Sequence, residues 1–399
     1  MARLIFKKNP PPESISAENW SSWRWQIQNS YRSQADFERI FCLTESEKLA
    51  FSQGGEIFNI RTTPYYANLC SQASEDPIRR ILMPRKEELS TGAQQMHDPL
   101  GEKANSPVPR IIHRYSDRVL LLVTDVCSVY CRYCTRKHFT GQDQAFIKES
   151  ELISALNYIR TRPGIREVIL SGGDPLTLSD SRLEIILAEL RQIKHVEIIR
   201  LGTRMPVVCP QRIDESLVKL LRQMKPVYVM THFNHPREIT EEAAIALELF
   251  VDHGIPVLNQ MVLLNGVNNH PAIVQALSRR LLYLRVKPYY MFQCDPSLGT
   301  DHLRTSVEES MQIQRALWGH LSGIALPNLS LDIPNGGGKT VLVPNFQTSH
   351  HGPIRSYKGW DGVEANYVSP AIEASISPLD AEDYVEEWQE ILSARSTQL

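Results

Sequence analysis

The chain has 399 residues, 42% of them hydrophobic and 22% charged, with a formal net charge of −2. That composition excludes wholesale disorder, and the near-neutral balance gives no global pull toward nucleic acid or an acidic membrane surface. No run approaches roughly 18 consecutive apolar residues, so a transmembrane helix is excluded and no membrane partner is expected. The length suits two or three domains, or one large barrel with extensions. The opening text, MARLIFKKNPPPES, carries lysines and prolines where a secretory leader needs an apolar core, so a cytoplasmic protein is expected. Seven cysteines in such a chain argue against a disulfide framework.

In chain order, residues 1–15 read as a polar, Pro-rich arm. Residues 18–98 read as mostly helical, with Trp20, Trp23, Trp25 and Ile27 at spacings that can share a helix face. The text DPLGEKANSPVPR (98–110) has the composition of a linker. From Arg118 six short apolar runs follow: 119–125, 167–173, 196–202, 226–233, 256–264 and 287–294. Helical stripes separate them, among them Leu183, Ile186, Leu187 and Leu190, and Leu217, Leu220, Leu221 and Met224. Pro271 is expected at a helix N1 position, and Thr305 with Glu308 has capping-box spacing ahead of a helix that Gly323 would end. Strands alternating with helices predict an α/β fold with a partial (β/α)6 barrel. The expected division is an N-terminal arm and helical domain (1–108), the barrel (109–325) and a C-terminal segment (326–399). In such barrels the chemistry collects at the C-terminal ends of the strands.

After the first run come Cys127, Cys131 and Cys134, a C-x3-C-x2-C spacing in a loop. Three thiolates can hold three irons of a [4Fe–4S] cube and leave the fourth open. The alternative is zinc in a non-catalytic binding module, with His138 as fourth ligand. Cys42, Cys70, Cys209 and Cys294 are scattered and read as buried small apolar residues. After the second run stands Ser171-Gly172-Gly173-Asp174, either a ligand cradle or a tight turn. Later runs end in His232-Phe233-Asn234-His235, in Asn259-Gln260 and in Gln293-Cys294-Asp295. Three glycines then precede Lys339, with Asp332 upstream. Lysine forms Schiff bases with pyridoxal phosphate, whereas the alternative is a surface turn ending in a solvated lysine. Arg114, Tyr115 and Arg118 precede the first run, as phosphate ligands or as surface charge.

The C-x3-C-x2-C loop with Tyr133 before its last cysteine resembles the radical S-adenosylmethionine enzymes, and longer stretches resemble lysine 2,3-aminomutases. These include NWSSWRWQ (19–26), SPVPRIIHRYSDRVLLLVTDVCSVYCRYCTRKHF (106–139), LSGGDPL (170–176), THFNHPREITEE (231–242), KPYYMFQCDPSLG (287–299) and DIPNGGGKT (332–340). The resemblance implies a radical-SAM partial barrel and three cofactors: a [4Fe–4S] cluster, S-adenosylmethionine and pyridoxal 5′-phosphate. It implies that Cys127, Cys131 and Cys134 bind the cluster. Gly172, Gly173 and Asp174 match the segment near the methionine amino group, and His232 and Gln260 match contacts to the nucleoside. Lys339 matches the lysine that carries pyridoxal phosphate, and Arg114, Tyr115 and Arg118 match the region that holds it. Arg136 matches the residue that binds the substrate carboxylate, and Asp295 and Asp332 match the acids that bind a side-chain ammonium.

The implied activity is a radical 1,2-amino shift interconverting L-lysine and β-lysine. A reducing electron donor and a homo-oligomer come with it. Relatives that make β-lysine for elongation factor P, or that act on arginine, are the neighbouring alternatives. Some members carry a C-terminal cysteine cluster for zinc, but no cysteine follows Cys294, so that zinc is not expected. Trp360, Tyr367, Tyr384 and Trp388 give the tail enough apolar content to form an interface arm.

Overall fold

The computed structural model describes residues 4–54, 59–90, 92, 94–137, 140, 146–370, 378 and 380–396. Among these, nine strands form one sheet in sequence order. β1 (Ile111–Tyr115) and β2 (Arg118–Thr124) make an antiparallel hairpin. β2 then runs parallel with β3 (Glu167–Gly172), β4 (Ile198–Gly202), β5 (Val227–Thr231), β6 (Val257–Leu263), β7 (Lys287–Gln293) and β8 (Asn328–Ile333). β9 (Gly338–Val341) returns antiparallel to β8. All six apolar runs are strands. The seventh parallel strand, β8, lay outside the predicted six because NLSLDI is short and broken by polar residues.

Among the described residues six helices longer than two turns cross between the parallel strands: Glu149–Arg160, Asp180–Arg191, Glu215–Gln223, Glu241–Asp252, Pro271–Tyr283 and Val307–Leu317. Ser179, Asp214 and Thr240 start three of them by accepting a backbone N–H of the first turn. Pro271 stands at N1 as expected. The last helix is capped by Ser306, which accepts from Glu309 N at 3.0 Å, not by Thr305. The Thr305 carbonyl is taken instead by Gln293 Nε2. That helix ends at Leu317, and Gly319 follows in the left-handed region at φ +78. Gly323, expected to end it, opens a separate 3-10 turn, Gly323–Ala325.

Side chains alternate along the parallel strands. Val119, Leu121, Val123, Val168, Leu170, Ile199 and Leu201 are sealed beneath the helices. Their neighbours Ser171, Gly202, Gln260, Val262 and Phe292 face a cavity inside the barrel. Period-two alternation thus separates the packed core from the chemistry. The N-terminal region is a series of short helices. Ser22 ends the helix Ala17–Ser21 and caps Trp23–Gln28, so Trp20 does not share a helix with Trp23 and Trp25. Phe37, Phe41, Tyr66, Ile78 and Ile81 from this region join the same core cluster as the barrel strands.

β1 and β9 are the two edges of the sheet, and side chains bridge them. Lys339 N donates to Tyr115 Oη at 2.9 Å, and Arg114 Nε donates to the Gly336 carbonyl at 3.2 Å. A second, three-stranded antiparallel sheet, β10 (Gln347–His351), β11 (Ile354–Lys358) and β12 (Glu364–Val368), lies outside the barrel. Trp360 and Tyr367 are exposed there, as are Tyr384 and Trp388 near the final helix, Val385–Ser396. Arg166 pairs with Glu390 of that helix. Among the described residues no helix is long and apolar enough to cross a membrane.

Candidate active site

A cavity of ≈ 340 Å³ opens at the C-terminal ends of the parallel strands. Cys127, Cys131, Cys134, Tyr133, Arg136, Gly173, Asp174, His232, Gln260, Asp295, Asp332 and Lys339 all line it. Gly172 lies beside it, while Arg114 and Tyr115 meet the Lys339 hairpin at the β1–β9 seam and Arg118, on β2, lies over Tyr115.

The three cysteines sit in the loop after β2. Burial, then Cys134 and Asp174, push the Cys127 thiol well above its ordinary value, and burial with Cys131 pushes Cys134 up to about 11. Crowded thiolates call for a cationic partner, and iron in a cluster supplies one. Among the described residues no three His, Cys, Asp or Glu side chains converge tightly enough to hold a single metal ion. His138, the fourth ligand of the zinc alternative, lies outside the described residues.

The loop after β3 is shaped by close backbone approach. Gly173 N donates to the Thr124 carbonyl at 2.6 Å and Asp174 N to the Val126 carbonyl at 2.8 Å. A Cβ on Gly172 or Gly173 would run into those carbonyls, and Gly172 adopts φ +123. Asp174 accepts from Leu176 N, Thr203 Oγ1 and Arg204 N at 3.0, 2.7 and 2.7 Å, so its carboxylate braces this turn against the next.

His232 stacks on Tyr133, with ring centroids 5.5 Å apart. Burial, with Arg204 adding to it, pulls its pKa down to about 3, so the ring is neutral. Its Nε2 is buried with no hydrogen-bond partner among the described residues, and such a ring nitrogen suits a polar ligand atom. Asn234 braces Tyr133 through a 2.7 Å bond to its hydroxyl, and His235 caps its own turn, so neither faces the cavity.

Lys339 owes its position to a tight hairpin. Asn335, Gly336 and Gly338 take φ +60, +88 and +90, which reverses the chain and sets Lys339 directly opposite Asp332. The glycine run serves this reversal. Lys339 Nζ lies 3.3 Å from Asp332 Oδ2 and 5.1 Å from the centre of the Phe292 ring. Arg114 Nη1 stands 3.7 Å from Asp332 Oδ1, and its Nη2 is a buried donor without a partner among the described residues. That orphan donor beside an amine fits a phosphate-bearing aldehyde cofactor. Arg118 stacks over the Tyr115 ring at 4.1 Å. Burial, then the Asp332 charge, pushes Asp295 up to about 7, with Lys339 and Arg114 opposing.

Arg136 is held side-on by Glu102. Its Nε lies 3.0 and 2.8 Å from the two Glu102 oxygens, its Nη2 also pairs with that carboxylate, and its Nη1 donates to Ser171 Oγ at 3.0 Å. Glu102 belongs to the stretch read as a linker. Asn335 N donates to the Pro99 carbonyl at 3.1 Å, so the same stretch also packs on the lysine hairpin. Glu102 and Arg204 are the site residues that the sequence reading missed. Arg204 follows the third apolar run, and the strand-end rule would have found it there. Nothing in the text 98–110 marked Glu102. Of the scattered cysteines, Cys209 and Cys294 are buried as expected, while Cys42 is exposed and Cys70 half-buried.

Residues 121–275 match the Radical SAM superfamily, and residues 314–398 match the family described as Lysine-2,3-aminomutase. The L-lysine 2,3-aminomutase of Clostridium subterminale is 44% identical over 359 residues, covering 90% of this chain and 86% of that protein. The enzyme of the same name from Fusobacterium nucleatum is 42% identical over 361 residues, with 90% and 84% covered. The glutamate 2,3-aminomutase of Clostridioides difficile is 39% identical over 346 residues, with 86% and 82% covered. A family match at each side of the cavity, joined by relatives that span both, means that the chain belongs to the lysine 2,3-aminomutase family within the Radical SAM superfamily.

Proposed function

We propose that this chain interconverts L-lysine and β-lysine by moving the amino group between C2 and C3. The observation that carries the reading is one cavity lined at once by three thiols, an amine opposite a carboxylate, a second carboxylate and a buried arginine. A [4Fe–4S] cluster with S-adenosylmethionine would supply a 5′-deoxyadenosyl radical for hydrogen removal, and pyridoxal phosphate would carry the migrating nitrogen.

The chain's own residues bind, orient and exclude water. Cys127, Cys131 and Cys134 would hold the cluster. Gly172, Gly173, Asp174, His232 and Gln260 would frame S-adenosylmethionine, with Tyr133 stacked behind His232. Lys339 would hold the aldehyde cofactor, and Arg114, Tyr115 and Arg118 would take its phosphate. Arg136 would bind the substrate carboxylate through the guanidinium edge that Glu102 leaves free. Asp295 and Asp332 would bind the distant ammonium. Two acids at that end favour a cationic side chain and repel that of glutamate.

A one-electron donor and the reducing conditions of a cytoplasm belong to the same reading. So does a homo-oligomer assembled through the exposed aromatic residues of the C-terminal sheet. The test is anaerobic reconstitution followed by iron, sulfide and pyridoxal phosphate analysis and a turnover assay with lysine, arginine and glutamate side by side. About four irons per chain and β-lysine from lysine are expected. One zinc without iron, or turnover of arginine or glutamate in preference to lysine, overturns the reading.

A further inference from the structure

Arg204 stands just past β4, at the end of the barrel where the thiols lie. Its Nη1 donates to Cys131 Sγ at 2.8 Å. The rest of the guanidinium is committed elsewhere. Nε donates to the His232 carbonyl at 3.3 Å, and Nη2 to Tyr66 Oη and Glu238 Oε1 at 2.8 and 2.7 Å. Glu238 is fully buried and is itself fixed by the backbone N–H groups of Asn234 and His235 at 2.6 and 2.9 Å. The guanidinium therefore cannot leave the sulfur without breaking three other contacts around a buried carboxylate. Cys134 is supported differently, by the Arg136 backbone N–H at 3.3 Å.

We propose that Arg204 is a positioning residue for the iron–sulfur cluster, fixing the Cys131 sulfur and holding the cluster's reduction potential up. The proposal rests on the cluster reading of the three cysteines. A charged N–H donor draws electron density from a thiolate and favours the more negatively charged state of the cluster. Glu238 offsets the net charge of the guanidinium, so the directional bond to sulfur carries the effect. The step concerned is the uptake of one electron by the cluster from the low-potential reductant, with no bond or proton moved. Radical generation starts from that step, so a donor that eases it acts on the proposed reaction from outside the substrate site.

The test is an electron paramagnetic resonance potentiometric titration of the reconstituted full chain without S-adenosylmethionine, so that the couple of the cluster alone is read. Arg204→Gln removes both charge and fork. Arg204→Lys keeps the ion pair with Glu238 but lacks the fork that reaches sulfur and carboxylate together, and it carries the test if the Gln variant does not fold. Iron and sulfide are expected at wild-type levels, with the midpoint more negative in both variants. For Gln the reduction equilibrium should move about tenfold, about 59 mV for a one-electron couple. Loaded variants that titrate at the wild-type midpoint overturn the role of Arg204 alone. A wild-type chain that binds no iron overturns the cluster reading instead.

Discussion

Asp332 and Lys339 are cross-strand partners on β8 and β9, with the amine 3.3 Å from the carboxylate. The pairing is a property of the hairpin, because register sets both side chains on one face. It means that the residue proposed to hold a cofactor and a residue proposed to hold the substrate are positioned by the same four-residue reversal. Lys339→Ala is expected to abolish lysine turnover and the absorbance of lysine-bound pyridoxal phosphate, while the iron–sulfur absorbance persists. Retained turnover in this variant would remove Lys339 from the mechanism.

Asp295 predicts a pH dependence. Its carboxyl sits at about 7 against an ordinary 3.8, through burial and the nearby Asp332. A free site at pH below about 7 therefore carries the neutral acid, which a substrate ammonium does not favour. The ratio kcat/KM for lysine should fall as pH drops through about 7, since that ratio reports the free enzyme. Asp295→Asn should flatten the limb and lower kcat/KM at pH 8. The same group gives a stability prediction. Between the ordinary and raised values the folded chain binds more protons than the unfolded one, so this carboxyl costs stability as pH rises through that window. Thermal melts of the cofactor-free protein at pH 8 should show Asp295→Asn no less stable than wild type, and a clear loss would contradict the assigned environment.

Arg136→Lys separates charge from geometry. Lysine keeps the positive charge but cannot use one edge for Glu102 and another for a substrate carboxylate. The KM for lysine should rise about tenfold or more, about 1.4 kcal/mol. Binding of 1,5-diaminopentane, which lacks the carboxylate, should change little. Equal losses for both ligands would point to a general packing defect.

Gly173→Ala tests the close approach of the β3 loop to β2. A methyl group there meets the Val126 carbonyl, and backbone must shift to admit it. A loss of about 1–3 kcal/mol is the ordinary scale for such strain, read as a lower melting temperature of the cofactor-free chain. An unchanged melt together with normal S-adenosylmethionine binding would show that the loop gives way easily.

Six of the seven parallel strands, Pro271 at its helix start and the clustering of Cys127, Cys131 and Cys134 could all be read from the sequence. Each rests on local spacing: alternation in a strand, fixed φ at a helix start, three thiols in one loop. The text around Lys339 and Asp332 was readable as a resemblance, but its physical cause was not, since spacing alone could not separate a hairpin from a flexible turn. Tertiary structure decided that β1 and β9 meet through Tyr115 and Arg114, and that Glu102 holds Arg136. It also decided that Arg204 reaches Cys131. These pairs lie 224, 222, 34 and 73 residues apart in the chain. No periodicity spans such distances, and only the closing of the barrel brings those partners together in and around one cavity.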